Sequence, residues 1–387
     1  MLGVTKNRSY EATYQAARSV AGTIESYFAH HFATATLNGG QEAVHQPHAP
    51  EIETMIDTAF WASLRHEEGY SPKVTLAFLP PEQAGQPLVF GHPLRFTPDI
   101  LTKLAPAVER PGIHLGVWCE DDGLYIWGTT REIPGNCFVL EVIEPGLLVI
   151  KHRRLDGFGK FVNVAILKGD QIKIVDEGTA DSPDCPIVVT SMLGFTLPSF
   201  WHDSMNILVQ LAVSMRAHGR GGSLLVVPAM SDAWRESIIQ PISYPVVPVF
   251  SQLAELLRQE TEEEEQNVWR QEVNLAIDGI AGLTAVDGAT IINDRYEVLA
   301  FGAKIGRSAT SDRVEQIVIT EPIIGNEAVV LHPAQMGGTR HLSAAQFVFD
   351  QRDAVALVAS QDGRFTIFAW SPNDQMVHAH RVDSLLL

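Results

Sequence analysis

Cysteine is scarce: Cys119, Cys137 and Cys185 are the three in 387 residues. They are too few and too far apart for a disulfide framework or a four-thiolate zinc site, so a reducing compartment is expected. Long apolar runs are missing too. No stretch of about 18 apolar residues occurs, and Met1 to Ala16 carries no apolar core of signal-peptide length. Neither secretion nor membrane spanning is expected, and a cytoplasmic location is. Positive charge is also in short supply, with 28 Lys and Arg against 46 Asp and Glu and a formal net charge of −18. Such a chain offers no broad basic surface for duplex DNA or anionic lipid. A small nucleotide remains open to it, because that ligand needs only a local Arg and a few backbone N–H groups. The phosphate loop of P-loop NTPases, the dinucleotide-binding glycine fingerprint and the nucleophile elbow of α/β-hydrolases are all lacking. Among 14 histidines, none has metal-ligand spacing with Cys or carboxylate partners.

What remains is ordinary globular composition, 45% hydrophobic and 19% charged, in a chain long enough for two domains of roughly 150 residues each. Helical spacing of Tyr14, Val20, Ile24, Tyr27 and Phe28 predicts a helix over 10–35, followed by a polar linker to about residue 50. A second helix is expected over 51–65 and a strand over 74–79. Two alternating runs, 113–118 and 124–127, flank Glu120-Asp121-Asp122-Gly123 and predict a hairpin. Further strands are expected at 138–142, 147–150, 162–167 and 171–174, which makes 51–195 an amino-terminal α+β domain.

From 196 to 375 apolar strands interleave with helices, the pattern of a mixed sheet covered by helices. Helices are expected over 200–217 and about 249–280, the latter carrying the acidic run 262–265 as a solvated face. Strands are expected at 223–227, 283–286, 289–292, 298–301, 316–319, 354–359 and 365–370, and 376–387 reads as a carboxy-terminal tail. No internal repeat is read. The hairpins at Asp122-Gly123 and Asp362-Gly363 look alike through shared turn chemistry.

Three segments carry candidate chemistry. In Val286-Asp287-Gly288-Ala289 a carboxylate stands at a strand end beside a glycine that admits a ligand to the backbone, a placement suited to a hard cation on phosphate oxygens; the same residues also write a tight β-turn. In Gly337-Gly338-Thr339-Arg340-His341 paired glycines, a hydroxyl and a guanidinium supply the parts of an anion cradle, backed by a helix expected from Ser343. A loop with a surface Arg fits that segment equally. Ser360-Gln361-Asp362-Gly363 reads locally as a hairpin turn.

Taken in order, Gly222-Ser223-Leu224-Leu225-Val226-Val227, Asp287-Gly288-Ala289, Gly338-Thr339-Arg340-His341 and Ser360 to Gly363 resemble the DAC domain of diadenylate cyclases, of the DisA amino-terminal type, over about 200–372. The resemblance implies an α/β (α+β) fold, a twisted mixed β-sheet surrounded by helices, preceded here by the amino-terminal α+β domain. It also implies ATP or a cyclic dinucleotide as ligand, Mg2+ or Mn2+ as cofactor, and a homodimer or higher oligomer. Asp287 would be the catalytic metal ligand; Gly288, Ala289, Gly338, Thr339, Arg340, His341, Ser360 and Asp362 would hold the nucleotide. Leu342 stands where catalytic members carry a second Arg, which removes a cation from the place where pyrophosphate charge develops. Trp61-Ala62-Ser63-Leu64-Arg65-His66-Glu67-Glu68-Gly69 and the Gly116 to Gly128 hairpin resemble the DACNV group of probable sensor domains. The expected function is therefore a nucleotide-binding sensor, with an active diadenylate cyclase or a non-catalytic interaction protein as the alternatives.

Overall fold

Short β-branched runs with period-two alternation bury one face of a strand, and longer segments with 3.6-residue spacing lay helices over it. The computed structural model describes residues 13–37, 44–120, 123–153, 161–194, 199–259 and 266–387. It divides into two compact units, Met1–Ile174 with Leu387, and Val175–Leu386. Each is a mixed sheet with helices, so the expected α/β (α+β) class is what is observed. No helix among the described residues is long and apolar enough to cross a membrane.

Unit 1 runs α1 (Gln15–Leu37), α2 (Ala49–Ser63), β1 (Val74–Phe78), β2 (Leu88–Arg95), α3 (Pro98–Val108), β3 (His114–Glu120), β4 (Gly123–Thr130), β5 (Phe138–Glu144), β6 (Leu147–Arg153), β7 (Phe161–Lys168) and β8 (Gln171–Ile174). Its sheet has the order β2-β4-β3-β1-β5-β6-β7-β8. Ile52, Met55, Ile56 and Ala59 of α2 are fully buried against Leu76, Leu115 and Leu140, each large side chain contributing about 1.5–3 kcal/mol. The opposite face carries a smaller cluster around Ala77, Leu79, Trp127, Cys137 and Val139.

Unit 2 runs α4 (Ile187–Met192), α5 (Ser199–Ala217), β9 (Gly222–Val227), β10 (Tyr244–Phe250), α6 (Gln252–Leu256), α7 (Gln266–Leu283), β11 (Ala289–Asn293), β12 (Val298–Ala303), β13 (Ile317–Thr320), β14 (Val329–Leu331), α8 (Thr339–Asp350), β15 (Val355–Ala359), β16 (Phe365–Ser371) and β17 (Met376–Arg381). The sheet order is β10-β12-β11-β9-β15-β16-β17-β13-β14. Helix α8 packs Ala344, Ala345, Phe347 and Val348 onto one face, against Leu225, Ile291, Ala356 and Phe368.

The two sheets share a plan that the sequence does not reveal. In both, the first, second, third, fourth and last three shared strands follow one order, with one parallel pair at the centre (β1 with β3, β9 with β11) and antiparallel neighbours outward. The helices follow suit: α2 packs on α1 and α3, and α5 packs on α4 and α7. Two departures stand out. Unit 2 places β13, β14 and α8 between β12 and β15, where unit 1 has only residues 131–137; and β17 pairs with a parallel β13, where β7 pairs with an antiparallel β8. The absence of a readable repeat thus holds for residues and fails for topology, because alternation alone is enough to specify a strand. The look-alike hairpins are no part of the shared plan: β3–β4 and β15–β16 occupy different places in it.

Several elements differ from the sequence expectation. The 283–286 strand is the end of α7 and the loop after it. The helix expected over 249–280 is β10, α6 and α7, and the acidic run 262–265 lies outside the described residues, as do Asp121 and Asp122. The tail over 376–387 contributes β17, paired on both sides. The unit boundary falls at Ile174/Val175, with 195/196 expected from sequence.

Candidate functional site

Asp287 stands where α7 gives way to β11. The chain turns there through Gly288 at φ +107°, with a β-carbon position only 2.5 Å from the Gly302 carbonyl carbon. Only glycine meets both demands. Asp-Gly is therefore a helix-to-strand junction and not the β-turn that the same two residues could have written, and it leaves the Asp287 side chain exposed at the strand start.

The second segment begins a helix. Gly338 is the N-cap, with extended backbone at φ −73° and ψ −171°, and α8 starts at Thr339, four residues before the expected start at Ser343. No side chain caps the helix and its first turn has no acidic residue. The N–H groups of Thr339 and Arg340, the first two of the helix, have no carbonyl within it to reach, and the positive end of the helix dipole lies beside them.

These two junctions open on one cavity of about 280 Å³. Asp287, Gly288 and Ala289 line it from β11, Thr339, Arg340 and Ser343 from α8, and Ser223 from the start of β9. Its lining has one carboxylate, Asp287, and two cations, Arg340 and Lys304. The Arg340 guanidinium lies against Gly221, where a β-carbon would come within 3.2 Å of Nη1. Gly221 is itself at φ +70°, so backbone conformation and side-chain space both select glycine. No cluster of three His, Cys, Asp or Glu able to hold a metal occurs among the described residues. A divalent cation here would rest on Asp287 together with oxygens of its ligand, the usual arrangement for Mg2+ on phosphates.

Not every predicted residue reaches the cavity. His341 is 6% exposed, packs edge-on to Phe368 at 6.1 Å and sits against Gly337, whose β-carbon would meet its Nδ1 at 2.8 Å. Burial holds its imidazole below the ordinary range, with Arg364, Arg381 and Arg340 acting the same way and Asp362 opposing them. Gly338 stops one residue short of the cavity lining. Ser360 and Asp362 belong to the β15–β16 turn: the Ser360 hydroxyl donates to Asp362 and holds that carboxyl below its usual value, while Asp362 also pairs with Arg364 at 3.3 Å. Gln361 between them reaches back, donating to the Arg220 carbonyl at 3.3 Å. Leu342 is 37% exposed and outside the lining.

Lys304 and Ile239 join the lining with no motif to announce them. Their signal is indirect: Lys304 directly follows Ala303, which pairs with Ala289, and the Lys304 carbonyl accepts from the Ile239 N–H at 2.8 Å. Asp350 at the far end of α8 secures this wall. Its carboxylate accepts from Ser308 N at 2.8 Å, Ser237 Oγ at 3.2 Å and Gln346 Nε2 at 2.7 Å.

A comparison of the chain with curated proteins gave no match. The family model described as "Probable sensor domain DACNV" matches residues 41–131, a stretch inside unit 1 that ends just past β4 and leaves the cavity of unit 2 outside it.

Proposed function

We propose that unit 2 binds a phosphate-bearing nucleotide, ATP or a cyclic dinucleotide, between β11 and α8, and that the chain acts as a cytoplasmic nucleotide sensor. The observation that carries this reading is that Asp287 and Arg340, from separate motifs, line one cavity. Arg340 offers a planar fork to phosphate oxygens, the open N–H groups at the start of α8 add neutral donors, and Lys304 adds a second cation. Asp287 would take Mg2+ or Mn2+ bridging to the same oxygens. At about 280 Å³ the cavity is small for a whole drug-sized ligand, so it suits the phosphates and a sugar, with the rest of the nucleotide reaching outward. The sensor-domain match to unit 1 supports a signalling role for the chain.

The Asp287 carboxylate in the cavity favours a second reading, an active diadenylate cyclase. In that reaction two bound ATP molecules would face each other in a homodimer, each 3′-hydroxyl attacking the α-phosphorus of the other and expelling pyrophosphate. Leu342 in place of a second Arg weighs against it, since loss of one charge-stabilising group costs about 3–4 kcal/mol at the transition state. Titration with ATP and cyclic di-AMP, with and without Mg2+, tests the binding claim. Chromatography after incubation with ATP and Mn2+ separates the two readings. A cyclic product that disappears in Asp287→Asn establishes the cyclase; saturable binding without product supports the sensor. The third reading, a non-catalytic interaction protein, predicts that Arg340→Ala leaves every titration unchanged.

A further inference from the structure

The shared strand plan repeats a cavity as well as a sheet. In unit 2 the cavity is lined at the strand ends by Ser223 of β9 and its register partner Ala289 of β11, with Val358 of β15 on the other side of Ser223. Ala289 and Val358 belong to the α8 face. The corresponding row in unit 1 is Thr75 of β1, which pairs with Glu141 of β5 and neighbours His114 of β3, one step before the Leu76–Leu115 pair. That row too lies on the face turned away from α2, since Leu76 and Leu115 are the residues facing the helices. A cavity of about 420 Å³ opens at this row.

Helix α8 has no counterpart in unit 1, so the charges around this cavity come from other elements. Lys73 precedes β1, Arg110 follows α3 and Lys151 stands on β6; Glu109 and Glu141 also line it. Lys151 is buried, ion-paired with Glu141, and lies 4.6 Å above the Phe161 ring. Lys73 and Arg110 are exposed, and neither has an acidic partner among the described residues. His114 supplies an independent sign. It is 5% exposed, lines the cavity and has an Nδ1 with no hydrogen-bond partner. An orphaned buried polar atom costs about 1–3 kcal/mol, a cost removed by any ligand that meets it. Lys151 and Arg153 add a positive field that helps burial push His114 down to about 4, which leaves its ring neutral at pH 7 and the surroundings favourable to an anion.

We infer that this cavity is a second small-molecule site, which takes a compact anion carrying a phosphoryl or carboxylate group, held by Lys73 and Arg110 and hydrogen-bonded to the His114 ring. The inference is independent of the nucleotide reading of unit 2.

The test is calorimetric titration of the full chain carrying Arg340→Ala, which removes one of the two cations from the unit 2 cavity, with pyrophosphate and separately with citrate. At least one probe should bind saturably, and the stronger one tells phosphoryl from carboxylate. Adding Lys73→Ala and Arg110→Ala should weaken that binding about tenfold or more, the worth of hydrogen bonds to a charged group. Both side chains are exposed, so the fold should survive, with circular dichroism as the check. His114→Asn should weaken binding too, and bound ligand should slow amide exchange in β1 and β3. Failure of both probes to bind the Arg340→Ala chain overturns the inference, as does binding indifferent to Lys73→Ala and Arg110→Ala; neither result touches the reading of unit 2.

Discussion

Replacing Gly288 by Ala perturbs the junction that carries Asp287 by a single methyl group. The residue sits at φ +107°, beyond the left-handed well near about +57°, so an alanine there is strained by about 1–3 kcal/mol. Its β-carbon would stand 2.5 Å from the Gly302 carbonyl carbon, 2.8 Å from that oxygen and 2.9 Å from Ala303 N. All three are backbone atoms and none can swing aside. Strands β11 and β12 must part where Ala289 pairs with Ala303, and overpacking of this kind adds about 1–3 kcal/mol. The expected loss is therefore about 2–6 kcal/mol, a large fraction of the roughly 5–15 kcal/mol that stabilises a domain. Urea unfolding of the full chain, with amide exchange followed in 289–303, measures it. Gly279→Ala is the control: it lies inside α7 with nothing within 4 Å of the added carbon, and should gain up to about 1 kcal/mol from helix propensity. A Gly288→Ala chain within about 0.5 kcal/mol of wild type, the scatter of neutral surface changes, would refute the junction geometry.

Two further outcomes are expected. Burial pushes His114 down to about 4 and His380 to about 3, so between those values and about 6.5 the unfolded chain binds more protons than the folded one. Stability from the neutral rings is full above about pH 6.5 and is lost as the pH falls toward 4 and 3, on the order of 3 kcal/mol for His114. Urea midpoints at pH 7, 5 and 4 should show the fall, and His114→Leu should flatten the unit 1 part of it; an unchanged slope would count against the buried neutral ring. Asp350→Ala leaves the Ser308 N–H unpaired and should cost about 2–3 kcal/mol with faster exchange in 305–310, while Asp350→Asn, which keeps an acceptor, should recover much of it. Equal stability of the two variants would show that the carboxylate does not secure that segment.

The elements legible in the sequence are those with clean periodicity, such as the β3–β4 hairpin, the fully buried β9 and helix α5. The illegible ones break the usual signals. Strand β10 contains Pro245 and Pro248, which lack the N–H a ladder needs, and is exposed over most of its length. Helix α3 carries Pro106 in its interior, which breaks the helical pattern although Thr97, Pro98 and Asp99 mark its start, the Thr97 side chain accepting from Ile100 N at 3.4 Å. Strand β17 hides two buried histidines, His378 and His380, in a segment that reads as a polar tail. At the site, residue type marked Asp287 and Arg340 as separate candidates, and the motif order of the diadenylate cyclase resemblance put them together. They gave no warning that His341 turns inward to Phe368, because side-chain direction in the first turn of a helix depends on where that turn begins. Lys304 was invisible for a different reason: its place is set by pairing between β11 and β12, which no local pattern encodes.

The proposed phosphate site rests on one carboxylate, one guanidinium and an uncapped helix start. Titrating the full chain with ATP and with cyclic di-AMP in Mg2+, for wild type, Arg340→Ala and Asp287→Asn, addresses it most directly. Saturable binding to wild type, weakened about ten- to a hundredfold in Arg340→Ala and made indifferent to Mg2+ in Asp287→Asn, is the predicted result. No binding of either nucleotide, or equal binding by all three proteins, would contradict it.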